Sequence, residues 1–191
     1  ILVDAPEHAP IERYLDDKDM SLDFILITHH HSDHIDGINH LKLKYSPKVI
    51  GAKRDRHRLP QLDIEVEEGK QLTIGSKTFD IYDVDGHTVG HIAYSLLEDK
   101  ALFTGDSLMV MGCGRLFEGS PEDMWKSLEK LKQLPEDFMI YSGHEYTKSN
   151  IEFAVTVDPQ NEKLKARRTK ELEQLQKGLP TVPSTLREEL D

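Results

Sequence analysis

Short apolar runs, each closed by a polar or glycine-containing break, alternate along this chain with stretches whose apolar residues recur every three or four positions. The first pattern predicts strands and the second helices. Residues 1–3 and 22–28 are near-continuous apolar runs, the second containing Phe24, Ile25, Leu26 and Ile27. Runs of this kind predict strands buried on both faces. Residues 10–15 predict a helix with Pro10 near its start. Ile35, Ile38 and Leu41 then fall at helical spacing, which places His34 near a helix N-terminus. Residues 48–52 predict a short strand, and the basic run K-R-D-R-H-R at 53–58 reads as a solvated loop, with a phosphate or carboxylate contact as the alternative.

Two hairpins follow. Residues 72–74 and 77–84 flank Gly75-Ser76, where glycine at the first loop position suits a type II′ turn, and residues 92–97 and 101–104 form the second pair. The S-P-E-D segment at 120–123 supplies a capping oxygen, a proline and two acids for a helix start, continued on one face by Met124, Leu128 and Leu131. Residues 138–141 predict a strand ending in S-G-H-E-Y. Residues 147–155 and 160–177 then predict helices, the second stopped by Gly178 and Pro180. Strands interleaved with helices, then helices alone, predict an α/β body with a helical tail.

Composition narrows the class. The 191 residues, 37% hydrophobic, suffice for one main domain, and 24 basic against 35 acidic side chains give a net charge of −11. That balance disfavours nucleic acid and anionic membranes as partners. The single cysteine, Cys113, cannot form an internal disulfide, which fits a cytoplasmic protein. No apolar stretch approaches the roughly 20 residues needed to span a bilayer. The start at Ile1, already inside an apolar strand, and the stop at Asp191 read as a piece of a longer protein.

The candidate chemistry lies at strand ends. F-I-L-I-T is followed by His29, Y-D-V-D-G by His87, A-L-F-T-G by Asp106 and M-I-Y-S-G by His144. In open α/β sheets the loops at one sheet edge build the site, so four strands can deliver four ligands to one place. Side chains two apart in extended backbone point the same way. His29 and His31 can therefore converge on one ion while His30 faces away. Three neutral imidazoles, His29, His31 and His87, suit zinc or another divalent first-row metal with one position open for water. Asp33 and His34 can reach a second ion beside the first, His144 can complete that site, and Asp106 can bridge the two, holding them about 3.5–4 Å apart.

These segments also carry a resemblance. T-H-H-H-S-D-H at 28–34 matches the T-H-x-H-x-D-H signature of the metallo-β-lactamase fold, and G-H-T-V-G-H, T-G-D-S and G-H-E-Y-T follow in that family's order. G-D-S-L-M-V-M-G-C-G-R-L-F-E-G and G-H-E-Y-T resemble glyoxalase II, the hydroxyacylglutathione hydrolases. The resemblance implies a four-layered αββα sandwich over 1–145, with further strands before Ile1. It also implies a dinuclear site at one edge and a partial helical substrate-binding domain over 146–191. His29, His31 and His87 would bind one metal, Asp33, His34 and His144 the other, with Asp106 between them; the expected ions are two of zinc, or of iron or manganese.

The same resemblance assigns substrate contacts. Arg115 matches a basic residue that contacts glutathione, and Tyr146 a tyrosine that contacts the peptide. Phe117 stands where tyrosine is common and lacks its hydroxyl. Basic residues that hold the glutathione carboxylate lie beyond L-P-T-V-P-S-T-L, a part of the family pattern this chain does not reach. The implied reaction is hydrolysis of a glutathione thioester such as S-lactoylglutathione, by a monomer, in methylglyoxal detoxification. Water activated at the metals attacks the carbonyl, with Asp33 as proton acceptor. The thiolate leaves with little protonation, since its thiol pKa is near 8.5.

Other functions fit less well. A flavodiiron oxygen reductase usually carries Glu at the position of His31, and many zinc β-lactamases Cys at that of Asp106. A persulfide dioxygenase, with one iron, is the nearest alternative and differs around C-G-R. A tRNA-processing nuclease is disfavoured by the acidic charge. Among the remaining residues, His8, His30, His40 and His57 are expected to be solvated or structural, His91 and Asp4 to orient ligands or serve as structure, and Cys113 to be a tight-turn residue.

Overall fold

A computed structural model describes residues 1–191. Strands β1 (Leu2–Val3), β2 (Phe24–Leu26), β3 (Lys48–Ala52) and β4 (Ile64–Val66) lie side by side in that order, all parallel. Parallel neighbours need crossovers, supplied by helix α1 (His8–Asp17) before β2 and by α2 (Ser32–Ile35) and α3 (Ile38–Tyr45) before β3. The second sheet contains β5 (Gln71–Ile74), β6 (Lys77–Asp83), β7 (Ile92–Leu96) and β8 (Ala101–Gly105) as an antiparallel meander. A small ribbon, β9 (Leu108–Met109) and β10 (Gly112–Cys113), follows it. After α4 (Pro121–Leu131), β11 (Met139–Ser142) returns parallel to β8. Helices α5 (Thr147–Val157) and α6 (Glu162–Gln176) come next. Strand β12 (Ser184–Thr185) then pairs antiparallel with β11 and leads into α7 (Leu186–Leu190). No helix is long and apolar enough to cross a membrane.

Three apolar clusters separate four layers. Leu15, Ile25, Ile27, Ile38, Leu41 and Val49 fill the space between the helices α1 and α3 and the parallel sheet. Leu26, Ile50, Phe79, Ile81, Tyr94 and Leu96 fill the space between the sheets. Ala93, Leu102, Leu131, Ile140 and Leu186 join the second sheet to its outer helices. Sequence neighbours such as Ile25 and Leu26, or Val49 and Ile50, thus face opposite apolar layers. This is why those strands are continuously apolar. Each buried side chain of this size contributes about 1.5–3 kcal/mol relative to exposure. The sheets are also tied by hydrogen bonds where the site forms: Tyr94 Oη donates to Ile27 O at 2.8 Å and Ile92 N to Thr28 O at 2.9 Å.

Several expectations are confirmed in detail. Ile74 pairs with Lys77 across a two-residue loop in which Gly75 alone has positive φ, 60°, as a type II′ turn requires. Ser120 and Asp123 form a reciprocal capping box at α4. Others need correction. The strand expected over 22–28 is only Phe24–Leu26, because beyond it the backbone turns to present the histidines, although Ile27 N still bonds Ile50 O at 2.8 Å. The basic run 53–58 begins as a 3₁₀ turn; Lys53, Arg54, Arg56 and His57 are exposed, as a solvated segment would be, while Arg54 and Arg58 also take the carboxylate contacts given as the alternative. Cys113 sits in β10, just past the turn in which it was expected.

Candidate metal centre and its cleft

The ends of β2, β6, β8 and β11 converge at one edge of the sandwich and carry His29, His87, Asp106 and His144 just beyond them. Glycine makes the approach feasible at two of these ends. A Cβ on Gly105, which has φ 50°, would stand 2.6 Å from Thr28 Oγ1. One on Gly143 would stand 2.5 Å from Asp106 Oδ1 and 2.6 Å from His34 Cε1.

The donor atoms fall into the two sets expected. Ligand atoms of His29, His31 and His87 lie within 4.8 Å of one another, as do those of Asp33, His34 and His144. Asp106 sits between the sets. Its Oδ2 is 3.4 Å from His87 Nε2 and 3.3 Å from His144 Nε2, and its Oδ1 is 3.4 Å from His34 Nε2. His87 Nε2 faces His31 Nδ1 at 3.0 Å, and His34 Nε2 faces His144 Nε2 at 3.3 Å. His29 Nε2 and Asp106 Oδ1 are buried with no hydrogen-bond partner. Imidazole nitrogens turned toward one another, with orphaned acceptors between them, fit divalent cations better than they fit each other.

The opposite ring atoms are fixed by neighbours. His34 Nδ1 bonds Asp4 Oδ2 at 2.7 Å, and the same carboxylate accepts from Thr28 N and Oγ1. His87 Nδ1 donates to Arg115 O at 2.7 Å, and His29 Nδ1 meets Thr28 Oγ1 at 3.0 Å. His91 is fully buried. Its Nδ1 meets Ile92 O at 3.2 Å and its Nε2 accepts from Asp106 N at 3.1 Å, so it orients the backbone of the central carboxylate. Asp4 and His91, each left between a structural and an orienting role, both touch the site.

Burial and neighbouring imidazoles hold His29 far below the usual imidazole range, and burial likewise lowers His31 and His87. Burial also lowers His91, to about 3. The lowering favours the neutral ring, the form in which His29, His31 and His87 would act as ligands. His34 goes the other way: burial opposes its charge, but Asp106 and Asp4 outweigh burial and push it up to about 10. Burial likewise opposes the charge on Asp106, and the neighbouring His34, with His144 and His87, outweighs it, so its carboxyl stays below the ordinary range.

A second set of contacts supports the site from outside. His30 turns away from the donors, as alternation requires, and meets the buried carboxylate of Asp55 at 3.0 Å. Arg58 joins Asp55 at 2.5 Å and Glu118 at 2.6 Å, and Glu118 accepts from Val89 N at 2.7 Å. Arg54 grips Asp85 with two bonds, at 2.8 and 2.6 Å. The loops carrying His29, His31, His87 and Phe117 are thus bound into one network. His8 and His40 stack on each other at 3.7 Å, away from the donor sets, and His57 is exposed, as expected.

A cleft of about 1130 Å³ opens over the donors, lined by His31, Asp33, Asp106, Cys113, Arg115, Phe117, His144, Tyr146, Asn150 and Phe153 among others. Arg115, exposed, has its guanidinium carbon 5.8 Å from the Phe117 ring centre. The Phe117 ring meets those of His31 and His87 edge-on at 5.5 and 5.3 Å, and Tyr146 stacks on His144 at 4.8 Å. All three residues expected to contact substrate therefore line the same cleft. Asp55 and Asn150 went unremarked in the sequence, because neither lies near a ligand in the chain.

A four-layered sandwich with a paired His/Asp centre at one edge defines a class of metal-binding proteins, and the comparisons agree. Residues 1–144 match the model of the metallo-β-lactamase superfamily, and residues 145–191 that of the hydroxyacylglutathione hydrolase C-terminus. A relative from Ruegeria pomeroyi, called hydroxyacylglutathione hydrolase, is 55% identical over 97% of this chain and 72% of its own length. The crystal structure of BLEG-1 B3 metallo-β-lactamase is similar with a TM-score of 0.69 at 26% identity, over 74% of this chain and 79% of that one. TTHA1623 in a di-iron-bound form is similar with a TM-score of 0.65 at 25% identity, over 74% of this chain and 80% of that one. The chain belongs to the hydroxyacylglutathione hydrolase family of the metallo-β-lactamase superfamily.

Proposed function

We propose that this chain hydrolyses glutathione thioesters, S-lactoylglutathione among them, to glutathione and a hydroxy acid, at a site that takes two divalent ions. The observation that carries this reading is the pair of donor sets flanking Asp106 at the head of a cleft lined by Arg115, Phe117 and Tyr146. His29, His31 and His87 would hold one ion and Asp33, His34 and His144 the other, with Asp106 reaching both. Zinc suits these donors, and iron or manganese is competent in the same mixed set. Bound divalent ions supply Lewis acidity that activates water near neutral pH and polarises a carbonyl.

The chain's own residues do the rest. Asp33, the most exposed of the donors, lines the cleft and takes the proton released in the attack. Arg115 holds an anionic or carbonyl group of the peptide at a distance from the reacting carbon. Phe117 and Tyr146 pack against ligand rings and keep water from the flanks of the site. Residues 1–145 serve as the metal-binding unit and 146–191 as part of the substrate-binding unit, a division supported by where the two family models meet. The net charge of −11 and the lone cysteine are consistent with a cytoplasmic protein that works as a monomer on a small molecule.

The test pairs metal analysis with an assay on S-lactoylglutathione. Two equivalents of metal are expected, with thiol release that chelation abolishes and metal restores. A fully loaded protein that releases no thiol would refute the reading. One equivalent of iron with oxygen uptake would point to the persulfide dioxygenase alternative.

A further inference from the structure

The ribbon that precedes Arg115 contains a backbone conformation its sequence does not favour. Met109 pairs with Gly112, leaving Val110 and Met111 as a two-residue loop, and Met111 takes φ 58°. Glycine or asparagine is the usual occupant of a left-handed loop position, yet the glycine here stands one residue later. For a residue with a Cβ, this conformation is disfavoured about five- to thirtyfold. Surrounding structure has to enforce it.

Two side chains from the helices that follow enforce it. The peptide between Val110 and Met111 is held at both ends: its carbonyl accepts from Asn150 Nδ2 of α5 at 2.9 Å, and its N–H donates to Glu189 Oε2 of α7 at 2.7 Å. Rotating that one peptide plane separates one turn type from another. Glu189 is itself nearly buried. Its other oxygen is held by Arg167 Nη2 at 2.5 Å and by Ser184 Oγ. On the far side, Gly114 N donates to Ser107 O at 3.2 Å and Arg115 O receives His87 Nδ1, so the strip from 110 to 115 is anchored at each end.

We propose that Glu189, with Asn150, is a positioning residue: it locks the 110–111 peptide and so sets the course of the loop that presents Arg115 to the cleft. The inference rests on the reading of that loop as the glutathione-binding wall. Through it, the C-terminal segment shapes substrate affinity without touching substrate. Arg115 O bonds the donor His87 at the other end of the strip, an anchor the lock does not supply, so metal content should stay close to wild type when the lock is lost.

Three variants, Glu189→Ala, Met111→Gly and the pair together, decide the matter. Glu189→Ala should raise KM for S-lactoylglutathione about five- to thirtyfold, leave kcat and metal content close to wild type, and speed hydrogen exchange of the Met111 amide. Met111→Gly alone should change little. In the Glu189→Ala background it should restore KM, because glycine adopts the left-handed conformation without help. A merely structural role for Glu189 would not be rescued at position 111. Should Glu189→Ala fold poorly with Arg167 unpaired, Asn150→Ala releases the other end of the same peptide and must give the same exchange change. Unchanged exchange in either variant, or no rescue by Met111→Gly, overturns the proposal. Failure of the binding reading shows separately, as an unchanged KM in Arg115→Ala, and exchange still reports on the lock.

Discussion

Nδ1 of His34 and Oδ2 of Asp4 lie 2.7 Å apart, and Asp4 holds this position from a left-handed backbone, φ 55°, at the end of the first strand. The carboxylate keeps the proton on Nδ1, leaving Nε2 to face Asp106 and His144. In Asp4→Asn an amide N–H would point at Nδ1 and drive the proton to Nε2, the atom that a cation needs. One of the two proposed ions should then bind about tenfold to a hundredfold more weakly. Chelator competition on the loaded variant measures this, and two ions held as tightly as in the wild type would show that Asp4 is only a strand-end support.

Asp106→Ala removes the one side chain within 3.4 Å of both donor sets. Metal content should fall below two equivalents and kcat should fall with it, since the donors that remain no longer share a bridge. Elemental analysis after dialysis reads the first effect and thiol release the second. Retention of both ions with full turnover would disprove the bridging role.

The candidate donors were legible because metal ligation would impose residue type and spacing together: His29 and His31 stand two apart after β2, Asp33 and His34 follow at once on α2, and His87, Asp106 and His144 each lie just beyond a strand end. The buried strands were legible for a similar reason, since a strand apolar on both faces leaves a continuous run. Strands β4, β9, β10 and β12 span two or three residues each, too few for any period to register. Long-range polar contacts leave no local trace either. His30 and Asp55 are 25 positions apart, and Glu189 is 78 from Met111. Both readings of K-R-D-R-H-R hold in part, because a charge run looks alike in sequence whether it faces water or its own chain's carboxylates, and this one does both.

Asp55→Ala tests the buried member of that run. It strips the buried partner from His30 and Arg58 at once, which should cost about 1–3 kcal/mol of stability. It should also loosen the set His29, His31 and His87 more than the set Asp33, His34 and His144, because His30 lies between two members of the first. Thermal unfolding with stepwise metal titration separates the two effects. Equal weakening of both ions would mean that Asp55 serves general stability alone.

Arg115 offers its backbone and its side chain to different tasks. Its carbonyl fixes His87 through a 2.7 Å bond, whereas its guanidinium is exposed to the cleft beside Phe117. Arg115→Ala keeps the first and deletes the second, so metal content should be unchanged. A charge-assisted hydrogen bond to substrate is worth about 1.5–3 kcal/mol, which corresponds to roughly a tenfold to hundredfold rise in KM. The contact is remote from the reacting carbonyl and equal in ground and transition states, so kcat should change far less. A small thioester without the peptide supplies the control: its hydrolysis should be unaffected. Equal losses on both substrates would place Arg115 in support of the loop, and the glutathione contact would have to be sought elsewhere in the cleft.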